Sequence, residues 1–172
     1  AKDEGLIRHV GITTHATPEL VERMIDDGCW ETITVQYSLL VSAYRDVVPK
    51  AHAQGIGIIT IGTMAGGLGI YPGPLLKEIY GSDDLPSSAL RYVLGDPGVS
   101  AVASGMVWAD EVRANAAAVD AMADDLNIDY QRQVDARLAA ALDRPELADL
   151  KRLWCDGCGR CIAVCNQLVE PW

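Results

Sequence analysis

The amino-acid sequence predicts an α/β fold in which four strand–helix units build a parallel sheet, half the number found in a (β/α)₈ barrel. Two observations lead to this prediction. Short runs of aliphatic and β-branched residues alternate with stretches of helical periodicity. These units recur at roughly the 31-residue spacing of such a barrel. With 172 residues, the chain is long enough for one domain with a small appendage.

The first two units show their boundaries most clearly. Thr17 and Pro18 predict a helix start, with a capping hydroxyl before a proline at the first helical position. Gly28 is placed to end that helix. Pro49 should break or restart the second helix near its middle. The predicted strands cover residues 6–12, 32–37, 56–61 and 99–103, and the predicted helices cover residues 18–27, 42–54, 74–80, 87–94 and 110–122.

The third and fourth units differ from the first two in composition. Residues 56–61 are mostly apolar and uncharged, as expected of a strand covered on both faces. The loop from residue 62 to residue 74 is rich in glycine and leads into two short helices. The apolar side chains of the last predicted helix share one face: Val112, Ala116, Val119 and Met122.

Three regions follow from this organisation. Residues 1–125 form the half barrel, residues 126–154 a helical extension that packs through leucines, and residues 155–172 a cysteine-rich tail. A half barrel leaves two strand edges and one apolar face uncovered, which is unfavourable in water. We therefore expect something else, such as a protein partner in a homo- or hetero-oligomer, to complete it.

Charge and hydropathy narrow the range of partners. The net charge is −10 at pH 7, and such a surface repels the phosphate backbone of nucleic acids. No apolar run in the sequence reaches the ~20 residues that cross a bilayer. The first residues are polar, with neither a signal-peptide core nor an initiator methionine, so we expect a processed chain or part of a longer polypeptide. These features favour a cytoplasmic protein without nucleic-acid or membrane partners.

Four of the five cysteines stand in the tail, with the spacing Cys155-x₂-Cys158-x₂-Cys161-x₃-Cys165. Cysteine thiolates are the usual ligands of iron–sulfur clusters, and this spacing is that of bacterial ferredoxins, with Asn166 in place of the usual proline. The two-residue gaps let successive sulfurs turn toward one centre. The tail is therefore predicted to bind one iron–sulfur cluster, [4Fe–4S] by its spacing.

The ligand set and the metal both have alternatives. In two-cluster ferredoxins the fourth cysteine of such a run binds the other cluster, but this chain has no second motif. Cys165 must therefore close the same cluster, or another group must; Cys29 could serve, although a plain buried cysteine is the simpler interpretation. Zinc is an alternative metal, but structural zinc sites usually pair two cysteine knuckles across a longer spacer. Disulfides fit this spacing and a reducing compartment poorly.

Several segments of the sequence also stand in a recognisable order. They are Gly5 to His15, Val35 to Leu40, Gly55 to Gly67, and Val99 to Met106 followed by Glu111 to Asn115. With the cysteine run, they make the chain resemble the C-terminal half of an aldo-keto reductase that carries a ferredoxin-like iron–sulfur tail. By this resemblance, the four predicted strands are strands five to eight of a (β/α)₈ barrel.

The resemblance implies that NAD(P)H binds at the carboxyl ends of these strands. Thr13 and Thr14 stand where the family usually has Ser-Asn against the nicotinamide amide, and Thr14 cannot present both donor and acceptor as an amide does. Gln36 lies two residues beyond Thr34, which occupies the position of the family's glutamine. The glycine loop would lie near the pyrophosphate and Asn115 near the adenine. The implied cofactor-binding residues are Thr13, Thr14, Gln36, Thr63, Met64, Gly66 and Asn115.

Catalysis is not accounted for by this chain alone, because the family's Asp, Tyr, Lys and His tetrad lies on the first four strands. The resemblance implies a component of an NAD(P)H-linked oxidoreductase of carbonyls and alcohols, with the tetrad supplied by a missing or separate N-terminal half. The alternative is a non-catalytic iron–sulfur electron-transfer or assembly subunit that has lost nicotinamide binding, as Thr14, Thr34 and Ala114 indicate. In a third hypothesis the cluster only fastens the tail to the barrel.

Overall fold

The computed structural model describes residues 1–122, 128–145 and 147. Within them, four parallel strands form one sheet in the order β1-β2-β3-β4. The strands are β1 (Gly11–Thr13), β2 (Thr32–Gln36), β3 (Gly57–Ile61) and β4 (Val99–Ala103). The helices are α1 (Pro18–Asp26), α2 (Val47–Ala53), α3 (Pro74–Tyr80), α4 (Leu85–Leu94), α5 (Ala109–Asp120) and α6 (Ile128–Leu142), with a 3₁₀ segment at Ala65–Ile70. The predicted parallel α/β architecture is confirmed.

The ends of α1 follow from its sequence. Thr17 is extended at the N-cap and Pro18 fills the first helical position, where the missing N–H costs nothing. Just beyond the helix, Gly28 adopts a φ of +67°, a conformation that glycine takes without strain.

Two elements are shorter than predicted, for different reasons. The strand predicted from Leu6 begins only at Gly11, and Leu6 is 74% exposed, because β1 is an edge strand of the described sheet and pairs with β2 alone. Helix α2 begins at Val47 rather than near residue 42. Pro49 therefore lies in the first turn, where its missing N–H has no helical partner to lose.

One face of the sheet packs against α1 and α2. The register places Ile33 beside Ile58, and Ile58 beside Val99, so these side chains share that face. Because the register is fixed by burial, the alternate residues must face the other way. The buried residues of this first core are Val21, Ile25, Ile33, Val35, Tyr44, Val47, Val48, Ala51, Ile56 and Ile58.

The opposite face of the sheet is more open. Its central row consists of Thr13, Thr34, Ile59 and Ala101, which are partly buried or exposed. At the edge of this face Gly11 cannot carry a side chain, because an added Cβ would stand 2.1 Å from the hydroxyl oxygen of Thr32. Among the described residues, β3 is therefore buried on one face only, and the expectation of burial on both faces is wrong for them.

A second core joins the helices that follow β3 to helix α6. Helix α6, the described part of the predicted helical extension, packs on α3 and α4. Its buried residues include Tyr130, Val134 and Ala141, whereas the predicted Leu138 is only partly buried. The buried residues of this core are Tyr37, Leu39, Ile79, Tyr80, Leu85, Ala89, Tyr92, Val93, Tyr130, Val134 and Ala141.

Helix α5 is the exception to this packing. It contacts α4, but none of its residues is buried. Val112 and Val119, on the predicted apolar face, are 49% and 43% exposed, and Trp108 at its N-terminus is 70% exposed. An exposed apolar set of this kind marks an interaction surface more often than a free one.

The described residues contain no helix that is both long and apolar enough to span a bilayer.

Candidate functional site at the carboxyl edge of the sheet

Because all four strands are parallel, their carboxyl ends meet at one edge of the sheet, where α/β barrels bind their ligands. At the end of β1, the Thr14 N–H donates to the carbonyl of Thr34 at 3.0 Å. The hydroxyl oxygen of Thr14 accepts from the N–H of Ala16, also at 3.0 Å. Thr14 is thus used in a local turn, while the neighbouring Thr13 is exposed.

The end of β2 and the start of the glycine loop lie in contact. Gly62 has a φ of +65°, and an added Cβ would meet the side chain of Gln36 at 3.0 Å. The N–H of Tyr37 donates to the carbonyl of Ile61 at 3.2 Å. The structure therefore brings Gln36 together with the loop that carries Thr63, Met64 and Gly66.

The glycine loop is built around the carbonyl of Met64, which accepts from the N–H groups of Gly67 and Gly69 at 2.9 and 3.0 Å. Gly66 and Gly67 have positive φ, and a Cβ added to either would meet nothing within 4 Å. The space beside these two glycines is open, as the approach of a phosphate to backbone N–H groups requires.

Thr63 is nearly fully buried, and its hydroxyl has no hydrogen-bond partner among the described residues. A buried hydroxyl without a partner costs free energy, so a polar group of a ligand at this position would be stabilised. The unpaired threonine hydroxyl and the open space beside Gly66 and Gly67 together fit a phosphate-bearing cofactor.

Asn115 lies near the carboxyl end of β4, the last strand of the sheet. Its side-chain amide approaches the hydroxyl of Ser104 at 3.5 Å, the limit of a hydrogen bond. Ser104 directly follows β4, so Asn115 belongs to the same edge, but among the described residues no hydrogen bond joins it to Gln36 or Thr13.

The sequence analysis missed a polar network beside this edge. The hydroxyl of Tyr37 donates to Asp96 at 3.4 Å and accepts from the side chain of Gln131 at 3.2 Å. Asp135 accepts from Arg45 and from the hydroxyl of Tyr92, both at 2.9 Å, and Arg45 also donates to the Tyr92 hydroxyl. No local pattern could have revealed these contacts, because residues far apart in sequence contribute to them.

Burial governs ionisation in this network. It raises the pKa of Tyr37 to about 12, against the opposing charge of Arg45. It also raises the pKa of Tyr92 well above the usual value for tyrosine. Burial would lower the pKa of Arg45, but Tyr92 and Asp135 outweigh it and raise that pKa. At neutral pH, both tyrosines therefore remain hydrogen-bond donors and Arg45 remains charged.

The four tail cysteines, Cys155, Cys158, Cys161 and Cys165, lie outside the described residues, so their predicted cluster stays a prediction. Cys29 is exposed, and the expectation that it is buried is wrong, because it follows the end of α1 in a surface turn. Within residues 1–122, 128–145 and 147, no group of three or more His, Cys, Asp or Glu side chains could hold a metal.

Comparisons with known proteins agree with this architecture. The aldo/keto reductase family model matches residues 1–69. The holo form of aldo-keto reductase AKR11C1 from Bacillus halodurans aligns with a TM-score of 0.67 and 27% identity, covering 79% of this chain and 52% of that one. Its apo form aligns with the same TM-score and 28% identity, over 79% and 53% of the two chains. No curated protein matches the sequence.

The chain thus spans about half the length of the solved structures that it matches. The parallel sheet has the fold of aldo-keto reductases, which are of the (β/α)₈ type. The family model match over residues 1–69 and the structural likeness at 27–28% identity make the chain similar to aldo-keto reductases in its fold.

Proposed function

We propose that this chain is a component of an aldo-keto reductase-like oxidoreductase, acting in NAD(P)H-linked conversion of carbonyls and alcohols. The observation that best supports this function is the contact of Gln36 with Gly62, which puts an amide side chain beside an open glycine loop at the carboxyl edge. A cytoplasmic location, where thiols remain reduced, suits the proposal.

NAD(P)H would supply the hydride when bound, and the residues of this chain would position it. Thr13 and Gln36 would present a hydroxyl and an amide to the carboxamide of the nicotinamide, while the Thr14 hydroxyl oxygen already accepts one hydrogen bond from Ala16 N–H. Thr63, Met64 and Gly66 would lie near the phosphates, and Asn115 would lie near the adenine end. The proton donor for the carbonyl comes from outside this chain, since the family's tetrad lies on the first four strands.

The tail would hold a [4Fe–4S] cluster through Cys155, Cys158, Cys161 and Cys165. Four thiolates in this spacing are the donor set that such clusters use. The cluster would supply one-electron transfer, or fasten the tail to the folded unit, and its metal content is testable apart from nicotinamide binding.

Titration of the chain with NADPH and with NADH tests the nicotinamide site. Quenching of tryptophan fluorescence reports the binding. We expect saturable binding, and an affinity about tenfold lower in Gln36→Leu, because one hydrogen bond to the cofactor is lost. Gln54→Leu is the matched control, since Gln54 is exposed at the end of α2 and should leave the affinity unchanged.

Absence of saturable binding would favour the second candidate, a non-catalytic iron–sulfur subunit. The observation that favours this candidate is the use of the Thr14 hydroxyl in its own turn, at a position where the family has an amide. Equal affinities for Gln36→Leu and the unmodified chain would remove Gln36 from the nicotinamide site.

A second polypeptide would complete the barrel, as a separate subunit, an N-terminal half or a second copy of this chain. The support for this proposal is the partly open sheet face together with the exposed apolar side chains of α5. Both β1 and β4 are edges of the described sheet, so each has hydrogen-bonding groups available for a further strand.

Light scattering on the isolated chain tests whether this surface associates. We expect a mass at least twice the 18.5 kDa of one chain at micromolar concentration, because exposed apolar area drives association. Val112→Asp should shift the chain toward monomer, whereas Leu20→Asp, on the outer side of α1, should not. A monomer at all concentrations, unaffected by either variant, would count against a partner on α5.

A further inference from the structure

We propose that Gln131 and Asp135 of helix α6 are positioning residues for the carboxyl edge, because together they hold both ends of the chain segment that follows β2. This inference rests on the proposed function in one respect, that Gln36 contacts the cofactor. The segment runs from Tyr37 to Arg45, directly after Gln36, and is called here the 37–45 segment.

Both anchors lie on one face of α6. Gln131 and Asp135 are four residues apart, so their side chains point the same way from the helix. Gln131 donates to the hydroxyl of Tyr37 at 3.2 Å, at the start of the 37–45 segment. Asp135 accepts from Arg45 at 2.9 Å, at its end.

Helix α4 braces these anchors from the other side. The Gln131 side chain also donates to the backbone carbonyl of Tyr92 at 3.2 Å, and the Tyr92 hydroxyl donates to Asp135 at 2.9 Å. The Arg45 guanidinium lies over the Tyr92 ring, 5.9 Å from its centroid. The same two side chains of α6 therefore bind the segment and α4 at once.

The 37–45 segment depends on such contacts because it has little regular structure. Apart from the bond of Tyr37 N–H to the Ile61 carbonyl, its backbone hydrogen bonds are short-range. The N–H of Ser38 donates to the carbonyl of Val41 at 3.0 Å, and the N–H of Val41 donates to the carbonyl of Ser38 at 3.2 Å. The N–H of Arg45 donates to the carbonyl of Ser42 at 3.0 Å. Turns of this kind are opened easily unless tertiary contacts hold them. Loosening the segment would release Tyr37, and with it the neighbouring Gln36.

Other contacts of α6 are well separated from this edge and supply a control. Arg137 donates to the backbone carbonyls of Ile79 and Tyr80 at 2.7 and 3.0 Å, and so ties α6 to α3. Arg137→Ala should loosen α6 about as much as a substitution of Gln131 or Asp135 would. It removes no contact to the 37–45 segment.

Hydrogen–deuterium exchange on the full chain tests the proposal without any cofactor. In Asp135→Ala and in Gln131→Leu, we expect amides of the 37–45 segment to exchange about tenfold faster, since each variant removes hydrogen bonds to that segment. Asp135→Asn keeps one acceptor oxygen and should recover part of the protection. Arg137→Ala should speed exchange in α3 and α6 but leave residues 36–45 unchanged.

NADPH affinity is the second readout. We expect the affinity to fall about tenfold in Asp135→Ala. It should be unchanged in Arg137→Ala, even if that variant loses as much thermal stability as Asp135→Ala. Equal effects of both variants on residues 36–45 and on affinity would reduce Asp135 to a general stabilising role and overturn the proposal. If the unmodified chain binds neither NADPH nor NADH, the proposed function fails, and the exchange experiment alone decides whether α6 holds the segment.

Discussion

Replacing Cys158 by Ser is expected to remove essentially all bound iron from the anaerobically purified chain. The unmodified chain should carry about four iron and four sulfide ions and a broad visible absorbance, because a [4Fe–4S] cluster needs a thiolate at each corner. Serine in this position supplies a weaker ligand, so the cluster should be lost or degraded. Metal and sulfide analysis, with the visible spectrum, measures the change.

Cys29→Ser is the matched control for the cysteine variant. Cys29 is exposed at the end of α1 and belongs to no group of potential metal ligands among the described residues. Iron content should therefore stay unchanged. Loss of iron in both variants would make Cys29 the fourth ligand, and stoichiometric zinc without iron in the unmodified chain would contradict the cluster.

Tyr92→Ala is expected to lower the free energy of unfolding by about 3–5 kcal/mol, the usual cost of removing a large buried aromatic ring. The ring is fully buried in the second core, and its hydroxyl contacts both Arg45 and Asp135. Truncation would leave a cavity and two partly buried charged groups without this partner. Urea denaturation measures the effect as a lower midpoint with an unchanged slope.

Tyr71→Ala applies the same substitution at a residue that is 68% exposed, and should cost less than about 1 kcal/mol. Equal costs at the two positions would mean that the second core does not depend on Tyr92. A changed slope in Tyr92→Ala alone would instead indicate that unfolding is no longer two-state, as it would be if α6 separated from α3 and α4 first.

The sequence predicted best where one residue type decides the backbone. Pro74 begins α3 and Gly81 ends it in the left-handed conformation, and both predicted boundaries of that helix are confirmed. The limits of β4 are also confirmed: its two valines, Val99 and Val102, stand in a short uncharged run between a glycine and a serine. The match of the four strands to one parallel sheet follows from their alternation with helices.

Tertiary contacts decided what the sequence could not predict. Leu6 and Ile7 have the composition of a strand, but no neighbouring strand reaches them, and they remain exposed. The apolar face of α5 was predicted from periodicity, yet the described residues leave Val112 and Val119 exposed and bury only Met122, just beyond the helix end. The hydrogen bonds of Gln131 and Asp135 to Tyr37 and Arg45 span about 90 residues of chain, beyond the reach of any local pattern.

The order of the strands has a consequence for how the chain folds. In the described sheet each strand pairs with its neighbours in sequence, since Ile12 stands beside Ile33 and Ile33 beside Ile58. The entropy lost on closing each crossover is therefore modest, and rises only slowly with its length. Pairing of parallel strands is slow, but this sheet can add one strand–helix unit at a time in chain order, so assembly can follow the order of synthesis.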